Sequence, residues 1–436
     1  MLARADATGV DGRKMVEAWF NAVKNMSMDV QGVSRPAFSQ IETDVLNYLA
    51  EQAKTIGLSV SFDAGQNAIF SLPEDADAER YILVGSHVDS VPMGGNFDGL
   101  AGVLTGLLCL QRAKSAGLRF KHPVKVIAMR GEESAWFGPC YIASKALLGV
   151  LGSDELGSLH KNDGRSLDEH MSDIGIVMEP IRQGIPLLNK DRLLEYIELH
   201  IEQGPLLIGK NKPAAVVAAI RGNFRHKNIR CIGEPGHSGA VPRAYRKDPV
   251  LAMADLLTRL DEHWLTIIQK GDDLVLTSGI VGTHPAKHAL SRIPDEVGFS
   301  LDIRSQSEDV LDAMQDLLSA EMKDVARNRG VRFEVENPNE TKPALLNTGV
   351  VESLKSAMER IGLEPTSMAS GGGHDAAVFA NAGVPTAMIF VRNQNGSHNP
   401  DEAMEIDDFI IASSIIYEHL LGLENECPEN RVKRRR

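Results

Sequence analysis

The chain has 436 residues, of which 43% are hydrophobic and 24% are charged, as in ordinary soluble globular proteins. This length predicts two domains, because a single hydrophobic core rarely grows beyond about 250–300 residues. The formal net charge of -13 argues against nucleic acid or an anionic membrane as a main partner, since both attract basic surfaces.

Neither the cysteines nor the N-terminus indicates secretion or membrane insertion. The four cysteines, Cys109, Cys140, Cys231 and Cys427, show neither metal-site spacing nor a disulfide framework. The N-terminal residues lack the apolar core of a signal peptide, and no apolar run reaches the ~18 residues that a membrane span needs. The basic residues 433–436 are predicted to be a solvated tail. We therefore expect a protein of the reducing cytoplasm.

The first half of the chain alternates predicted helices and strands. Residues 12–56 are predicted to be helical, and within them the segment 41–53 carries apolar residues at i, i+4 spacing before Gly57. Two buried strands follow in YILVGSH and HPVKVIAMRGEES, separated by the apolar helix LAGVLTGLLCLQRAKSAG. This alternation predicts a three-layer α/β core.

From about residue 212 the pattern changes. Antiparallel strands are predicted in PAAVVAAIRGNFRHKNIRCIG, LVLTSGIVG and DEVGFSLDIRS, and helices in DPVLAMADLLTRLDEHW and VLDAMQDLLSAEMKDVARNRG. From about residue 345 the α/β pattern resumes, with the helix GVVESLKSAMERIG and the strand VPTAMIFV. We therefore predict an α/β domain of residues 1–212 and 336–436, interrupted by a smaller α+β domain of residues 213–335.

Residues that can bind metals lie where the predicted strands end. His87 and Asp89 end the first strand, and open parallel sheets carry their sites beyond the carboxyl ends of strands. Glu132 and Glu133 end the second strand, and Asp98 lies in the glycine-rich turn GGNFDG. A carboxylate two residues from a histidine is also well placed to orient a ligating imidazole by accepting its other N–H.

Three further residues fit this pattern: His200 and Glu202 in EYIELHIEQGP, and His398 in NGSHNPDE. Such nitrogen and oxygen donors suit a pair of borderline ions, such as zinc or manganese, about 3.5–4 Å apart around one water. A single histidine is more often structural than a ligand, and paired glutamates are common. The conjunction of these residues at predicted strand ends is what favours a metal site.

Five motifs carry a family resemblance: GSHVDSVPMGGNFDG, RGEES, ELHIEQGP, GEPGHSGAVP and SGGGHDA. Together they resemble the amidase/hydantoinase/carbamoylase group of the aminoacylase-like di-zinc metallopeptidase family, over about residues 30–420. The resemblance implies a zinc-exopeptidase-like catalytic domain interrupted by a dimerisation or lid domain. It also implies two divalent ions per subunit, with zinc as the first expectation and manganese, cobalt or nickel as alternatives.

The resemblance implies a role for each matching residue. The implied ligands are divided between two ions, His87 with His200 and Glu133 with His398. Asp98 would bridge the two ions, Glu132 would be the general base, and Asp89 would orient the first histidine. A histidine at position 200 is typical of carbamoylases, whereas the family's peptidases usually place a carboxylate there.

Residues that would contact the substrate are also implied. Arg304 in LDIRS is the candidate for binding a substrate carboxylate, because its planar guanidinium can form two parallel hydrogen bonds. The alternative is a surface arginine on an exposed strand. Gln203 resembles a contact to the substrate amide. His237 resembles a histidine that completes a partner subunit's active site and stabilises the oxyanion, which implies a homodimer.

The chain departs from the family pattern on the substrate side. Ser291 and Arg292 stand where relatives carry an asparagine, and Gly372 replaces a common alanine. Arg392 and Asn393 are predicted to face the site. Ser291 and Asn393 are therefore further candidates for substrate contacts, and the departures concern the substrate rather than the reaction.

These inferences predict a homodimeric two-metal amidohydrolase that cleaves the carbamoyl or ureido C–N bond of a small carboxylic acid, releasing ammonia and carbon dioxide. N-carbamoyl-L-amino acids are the first expected substrates, followed by ureido acids such as allantoate and ureidoglycolate. One alternative is an acylamino-acid deacylase or dipeptidase on the same site. Another is a catalytically silent binding protein, which would usually have lost Glu132 or a ligand.

Overall fold

The computed structural model describes residues 9–422. They form two compact units, one of residues up to 218 together with those from 346 onward, and one of Ala219–Leu345. The predicted domain boundaries at residues 212/213 and 335/336, and the role of the insert in dimerisation, stay predictions. Cys427 and the basic residues 433–436 lie outside the described residues.

The helices, in chain order, are α1 (Gly9–Met26), α2 (Gln40–Thr55), α3 (Leu100–Ala116), α4 (Ile142–Leu148), α5 (Ser153–Leu156), α6 (Leu167–Asp173), α7 (Met178–Arg182), α8 (Leu206–Gly209), α9 (Pro249–Gln269), α10 (Glu308–Arg329), α11 (Thr348–Arg360), α12 (Asp375–Asn381) and α13 (Ile406–Leu420). Short 3₁₀ turns occur at Pro73–Asp75, Lys190–Arg192, Arg243–Tyr245 and Pro285–Lys287.

The strands are β1 (Ser59–Phe62), β2 (Ala68–Ser71), β3 (Tyr81–His87), β4 (Val124–Met129), β5 (Leu193–Ile201), β6 (Ala214–Ile220), β7 (Gly222–Ile232), β8 (Gly236–His237), β9 (Val275–Thr277), β10 (Val281–Gly282), β11 (Arg292–Ile293), β12 (Glu296–Ser305), β13 (Arg332–Val335), β14 (Asn339–Thr341), β15 (Ala344–Leu345), β16 (Ser367–Ser370) and β17 (Thr386–Val391).

The first unit is built on a mixed sheet with the strand order β1-β2-β4-β3-β5-β17-β6, and β16 pairs with β6. The four central strands β4, β3, β5 and β17 run parallel to one another. β3 and β17 are buried along their whole length, as their continuous apolar sequences require. Because the central strands are parallel neighbours, their carboxyl ends meet at one edge of the sheet, and this edge positions the site.

Helices cover this sheet and confirm the predicted α/β class. The strongly apolar helix α3 packs on β3, β4 and β5 and ends at Gly117 in the left-handed conformation. Gly102 permits this close packing, because a Cβ there would lie 2.3 Å from the carbonyl oxygen of Leu199. Helix α13 packs on α3 and β17, and α12 packs on β5, β17 and α4.

The predicted helix over residues 12–56 is wrong for residues 27–39, which separate α1 from α2. In this segment Arg35 is fully buried, and its backbone N–H and carbonyl both hydrogen-bond to Ser90. Pro36 follows and disfavours a helical conformation at the residue before it. The helix is therefore interrupted by a segment that is tied to the loop after β3.

The second unit contains a six-stranded antiparallel sheet of order β10-β12-β7-β13, with β9 beside β12 and β14 beside β7. Helices α9 and α10 pack on β7 and β12 around a core that includes Phe224, Leu256, Phe299 and Leu318. The predicted single strand LVLTSGIVG is instead two short strands, β9 and β10. They pair with different parts of β12, on either side of its bulge near residue 300.

A separate two-stranded sheet of the second unit pairs β8 with β11, and places His237 opposite Arg292. Across the described residues, no helix combines the length and the apolar character that a membrane crossing would need.

Candidate metal centre

Neighbouring strands bring the predicted metal ligands together. β3 ends at His87, β5 carries His200 near its end, Glu133 follows β4, and His398 follows β17. Since these strands lie in the order β4-β3-β5-β17, side chains from distant parts of the sequence converge at one sheet edge. Asp98 joins them from the turn between β3 and α3.

The two oxygens of Asp98 point to two different groups of donors. Its Oδ1 lies 3.4 Å from Nε2 of His87 and 3.1 Å from Nε2 of His200. Its Oδ2 lies 3.7 Å from Nε2 of His398, which is 3.3 Å from Oε1 of Glu133. Within each group, all the donor atoms lie within 4.8 Å of one another. We call these residues the Asp98 cluster.

The donor atoms suit divalent metal ions. Nε2 of His87 is buried and makes no hydrogen bond within the described part of the chain, although carboxylates of Asp98 and Glu132 lie 3.4 and 3.8 Å away. A buried polar atom without a partner is unfavourable, and a metal ion would satisfy it. Gly99, with a φ of 67°, allows this arrangement, since a Cβ there would lie 2.4 Å from the ring of His87.

Acceptor oxygens near Nδ1 fix the orientation of the imidazoles of His87 and His200. Nδ1 of His87 lies 3.2 Å from the carbonyl oxygen of Asp89 and 3.3 Å from its Oδ1. Nδ1 of His200 lies 2.9 Å from the carbonyl oxygen of Ile201. These acceptors favour the tautomer with the proton on Nδ1, which leaves Nε2 of each ring as a lone-pair donor toward Asp98.

Asp89 connects the first histidine to the two glutamates after β4. The carboxylate is fully buried, and it accepts hydrogen bonds from the backbone N–H groups of Glu132 at 2.9 Å and Glu133 at 3.0 Å. The same carboxylate therefore positions His87 and the Glu132–Glu133 backbone.

The pKa values of the ionisable groups in and beside the cluster are shifted by burial and by their close neighbours. Burial raises the pKa of Asp98, but His200 and His87 lower it more, so that it lies well below its ordinary value. The hydrogen bond that His398 donates to the carboxylate of Glu133 raises the pKa of His398 to about 9. Burial raises the pKa of Glu132 well above its ordinary value, against the opposing effect of His87.

Comparison with known proteins agrees with this geometry. Residues 83–421 match the peptidase family M20/M25/M40. The chain belongs to this family. It is 32% identical over 387 residues to the N-carbamoyl-L-amino acid amidohydrolase of Geobacillus stearothermophilus, covering 88% of this chain and 92% of that protein. It is 30% identical over 378 residues to the allantoate amidohydrolase of Escherichia coli (strain K12), covering 86% and 89%.

A solved structure extends the similarity to the fold. The amidase of the hydantoinase/carbamoylase family from Burkholderia multivorans superposes with a TM-score of 0.83 at 28% identity, covering 93% of this chain and 97% of that one. The family resemblance of the five motifs is therefore confirmed. Family membership and the two donor groups of the Asp98 cluster together indicate a protein that uses divalent metal.

Sequence reasoning missed the residues that hold Asp98 in place. The buried carboxylate of Glu402 accepts hydrogen bonds from the backbone N–H groups of Phe97 at 2.9 Å and Asp98 at 3.3 Å. The hydroxyl of Ser397 hydrogen-bonds to both carboxylates. The only sequence signal was that Glu402 and Ser397 lie beside His398, in GSHNPDE.

A second missed group lies behind His200. Glu198 is fully buried and accepts hydrogen bonds from the hydroxyl of Ser86 at 2.7 Å and from the backbone N–H of Ala376 at 2.9 Å. The ring of His374, from the motif SGGGHDA, lies 4.4 Å from that of His200. Burial lowers the pKa of His374 well below its ordinary value, so that this imidazole is neutral.

Glu202 does not join the Asp98 cluster. Its carboxylate oxygens accept hydrogen bonds, both of 2.7 Å, from the backbone N–H groups of Leu206 and Leu207 at the start of α8. Its role in this family member is to hold the turn that follows β5.

Two of the predicted substrate contacts lie beside the Asp98 cluster. Gln203, with a φ of 63°, donates a 2.7 Å hydrogen bond from Nε2 to Oδ2 of Asp98. Asn393 is fully buried, accepts a hydrogen bond from the backbone N–H of Gln203 and donates one to the carbonyl oxygen of Gly396. Arg392 forms a two-pronged ion pair with Asp408. Contacts of Gln203 and Asn393 to a substrate stay predictions.

The remaining predicted contacts lie in the second unit. His237 is exposed on β8, and the backbone N–H of the next residue donates to the carbonyl oxygen of the exposed Ser291. Arg304 is half-buried on β12 and forms two hydrogen bonds with Asp302. The structure thus brings His237 and Ser291 together, while Arg304 lies on another sheet of the same unit.

Proposed function

We propose that the chain is a divalent-metal-dependent amidohydrolase that cleaves the carbamoyl or ureido C–N bond of a small carboxylic acid, with ammonia and carbon dioxide as products. The observation that carries this proposal is the carboxylate of Asp98, which lies between two separate groups of metal donors. The named relatives at 30% and 32% identity, an allantoate amidohydrolase and an N-carbamoyl-L-amino acid amidohydrolase, support the reaction class.

Two ions would be held by the Asp98 cluster. His87 and His200 would bind one ion and Glu133 and His398 the other, with Asp98 shared between them. When bound, such ions polarise a carbonyl oxygen and lower the pKa of water. Zinc is the first expectation for nitrogen and oxygen donors of this kind, with manganese, cobalt or nickel as alternatives.

Glu132 is the proposed general base. Its carboxylate is nearly buried beside His87, and its raised pKa favours both accepting and later releasing a proton. It would take a proton from the attacking water as the new C–O bond forms at the carbamoyl carbon. It would then deliver that proton to the leaving nitrogen as the C–N bond breaks. The carbamic acid that remains would decompose to carbon dioxide and the second nitrogen product, so that ammonia and the free amine are both formed. Asp89 would hold the backbone of Glu132 in position by accepting a hydrogen bond from its N–H.

The proposed substrate contacts are those implied by the family resemblance. Arg304 would bind the substrate carboxylate, while Gln203, Asn393 and Ser291 would contact its polar groups. His237 would stabilise the oxyanion in the active site of a partner subunit, and we therefore propose a homodimer. We also propose that the protein is located in the cytoplasm. The exposure of His237 on a short strand is what makes it available to a neighbouring subunit.

N-carbamoyl-L-amino acids are the first proposed substrates, and ureido acids such as allantoate or ureidoglycolate are the second. The two named relatives have nearly equal identity to this chain, so identity alone does not separate these classes. A deacylase or dipeptidase activity is not favoured, because these relatives are amidohydrolases of carbamoyl and ureido compounds.

A product-release screen tests the proposal. The purified protein is loaded in turn with zinc, manganese, cobalt and nickel, and offered N-carbamoyl-L-amino acids, ureido acids, N-acyl amino acids and dipeptides. Ammonia and new amino groups are both measured, and Glu132→Gln serves as the inactive control. Ammonia release from carbamoyl or ureido acids alone is expected. Release of amino groups from N-acyl amino acids or dipeptides without ammonia would contradict the proposal.

A further inference from the structure

A second cluster of metal donors lies in the first unit, in the loop before α6. The loop is closed by hydrogen bonds between His160 N and the carbonyl oxygen of Arg165 at 2.8 Å, and between Gly164 N and the carbonyl oxygen of His160 at 2.9 Å. Asp163 lies at its tip, and His170 lies on α6. None of these residues has a part in the proposed reaction.

Three side chains of this loop and helix point toward one another. Nδ1 of His160 lies 3.3 Å from Oδ1 of Asp163, and Nε2 of His170 lies 3.2 Å from Oδ2 of the same carboxylate. The three donor atoms are all within 4.8 Å of one another. These separations are of the size found between ligands that share a metal ion at about 2.0–2.2 Å.

The buried histidine of this cluster has an unsatisfied nitrogen. His160 is 9% exposed, and its Nδ1 makes no hydrogen bond within the described residues. In the imidazole tautomer with the proton on Nε2, the Nδ1 lone pair can bind a cation. The backbone N–H of Arg165 donates a 2.9 Å hydrogen bond to Oδ1 of Asp163.

Aromatic rings enclose the two histidines on one side. The ring of Trp136 stacks on His160 at a centroid distance of 5.9 Å, and Phe137 lies 5.0 Å from His160 and 5.1 Å from His170. Asp163, by contrast, is exposed. The cluster thus has an apolar wall that restricts its rings and an open side that water can reach.

We propose that His160, Asp163 and His170 bind one divalent transition-metal ion such as zinc, at a site separate from the Asp98 cluster. Two imidazole nitrogens and one carboxylate oxygen are a donor set that zinc and its neighbours accept, and water would complete the coordination. The ion would fasten the loop to α6.

The consequence would be structural. The backbone N–H of Lys161 donates a 2.9 Å hydrogen bond to the carbonyl oxygen of Trp136, and the indole N–H of Trp136 donates a 2.8 Å bond to the carbonyl oxygen of Ser90. A fastened loop would therefore stabilise the segment that follows Glu133. We expect the ion to raise the thermal stability of the protein rather than to take part in hydrolysis.

Zinc stoichiometry tests the proposal directly. The double variant Asp163→Asn/His170→Gln preserves side-chain size, and His122→Ala, an exposed histidine outside all the donor groups, is the control. After equilibrium dialysis against zinc, the double variant should bind one equivalent fewer than the wild type and the control. Equal stoichiometry in all three proteins would overturn the proposal.

The difference of one equivalent does not depend on how many ions the Asp98 cluster binds. A wrong assignment of the reaction proposed above leaves the difference in bound zinc between the wild type and the double variant unchanged. Two further measurements keep the proposal testable if the double variant folds poorly. Anomalous scattering from zinc-loaded wild-type crystals should show a peak between the three side chains, and added zinc should raise the melting temperature of the wild type more than that of the variant. A wild-type crystal without this peak would also overturn the proposal.

Discussion

The Asp98 cluster and the turn that carries His237 differ in nearly every physical respect. In the first, His87, His200 and Asp98 are at most 4% exposed, and a backbone or side-chain hydrogen bond fixes each one from behind. In the second, His237 is exposed on a two-residue strand. Its Nδ1 accepts a hydrogen bond from the backbone N–H of Gly239, two residues away.

This difference fits the two different roles proposed for these residues. Hydrogen bonds hold the buried donors His87, His200 and Asp98 at fixed distances before an ion arrives. His398, the proposed ligand on the other side of Asp98, is the exception, because its side chain is 52% exposed. A residue that completes the site of another subunit must instead remain exposed in its own chain. Substitutions in the cluster should therefore change metal content, whereas substitutions in the turn should change kcat alone.

The largest effect is expected for Asp98→Ala. Because both donor groups share this carboxylate, the variant should lose both ions of the cluster and fall to background activity. Metal analysis after dialysis measures the loss. His398→Gln, which leaves His87 and His200 intact, is the comparison and should lose a single ion. An Asp98→Ala protein that retains one tightly bound ion at the cluster would show that Asp98 serves only one metal.

Glu132→Gln comes next. Removal of a general base should lower kcat by ~10²–10⁴-fold while the metal content stays at the wild-type value. Glu133→Gln is the matched comparison, because it removes a proposed ligand from the adjacent position and should reduce metal content. If the first variant loses metal and recovers activity on reconstitution, the roles of the two glutamates are exchanged.

His237→Ala should lower kcat by ~10²–10³-fold, as the loss of one oxyanion donor does, with metals and oligomeric state unchanged. His263→Ala, in the same unit, is the control and should leave kcat nearly unchanged. A mixed dimer of Glu132→Gln and His237→Ala subunits then tests the geometry. One of its two sites combines an intact Glu132 with an intact His237 from the partner, so about half of the wild-type activity should return. Activity that stays at the parental level would mean that His237 acts within its own chain.

Asp89→Asn is expected to have the smallest effect. The neutral amide still occupies the space but cannot accept all the hydrogen bonds of the carboxylate, so metal affinity should fall by ~10–100-fold. Activity at saturating metal should fall only modestly, because the amide oxygen can still accept one of the two backbone hydrogen bonds from Glu132 and Glu133. Asp75→Asn, a buried aspartate that accepts a backbone hydrogen bond from Val124, should leave metal affinity unchanged. Similar losses in both variants would indicate general destabilisation.

The comparison of the two regions also shows what the sequence can reveal. The convergence of the proposed ligands was predictable in part because His87, His200 and Glu133 lie at or just after the ends of strands whose apolar runs are visible locally, as in YILVGSH before His87. Asp98 and His398 lie instead in loops, and only their glycine-rich motifs pointed to them. Parallel strands then bring these ends to one edge. The interruption of the first helix was not predictable from periodicity, since it depends on hydrogen bonds between Arg35 and Ser90, which lie 55 positions apart in the chain.

The supporting residues were missed for the same reason. Glu402 acts on the backbone of Phe97 and Asp98, and Glu198 acts on Ser86 and Ala376. A carboxylate that accepts hydrogen bonds from groups distant in the chain leaves no local pattern in the sequence. Only a three-dimensional structure shows which buried acids hold the ligands and which, like Glu202, hold a turn.

The first unit is made of two separate chain segments, and the contact between them has a consequence for the order of events during translation. Ser397 and Asp98 are separated by 299 positions, and Glu402 and Phe97 by 305. At translation rates of about 5–20 residues per second, a ribosome needs roughly 15–60 s to add the residues that complete the cluster. During that interval the nascent chain carries His87 and Asp98, and later His200, but lacks the carboxylate of Glu402 and the hydroxyl of Ser397 that hold Asp98. The proposed metal centre can therefore be complete only after this segment has been made and β17 has paired with β5.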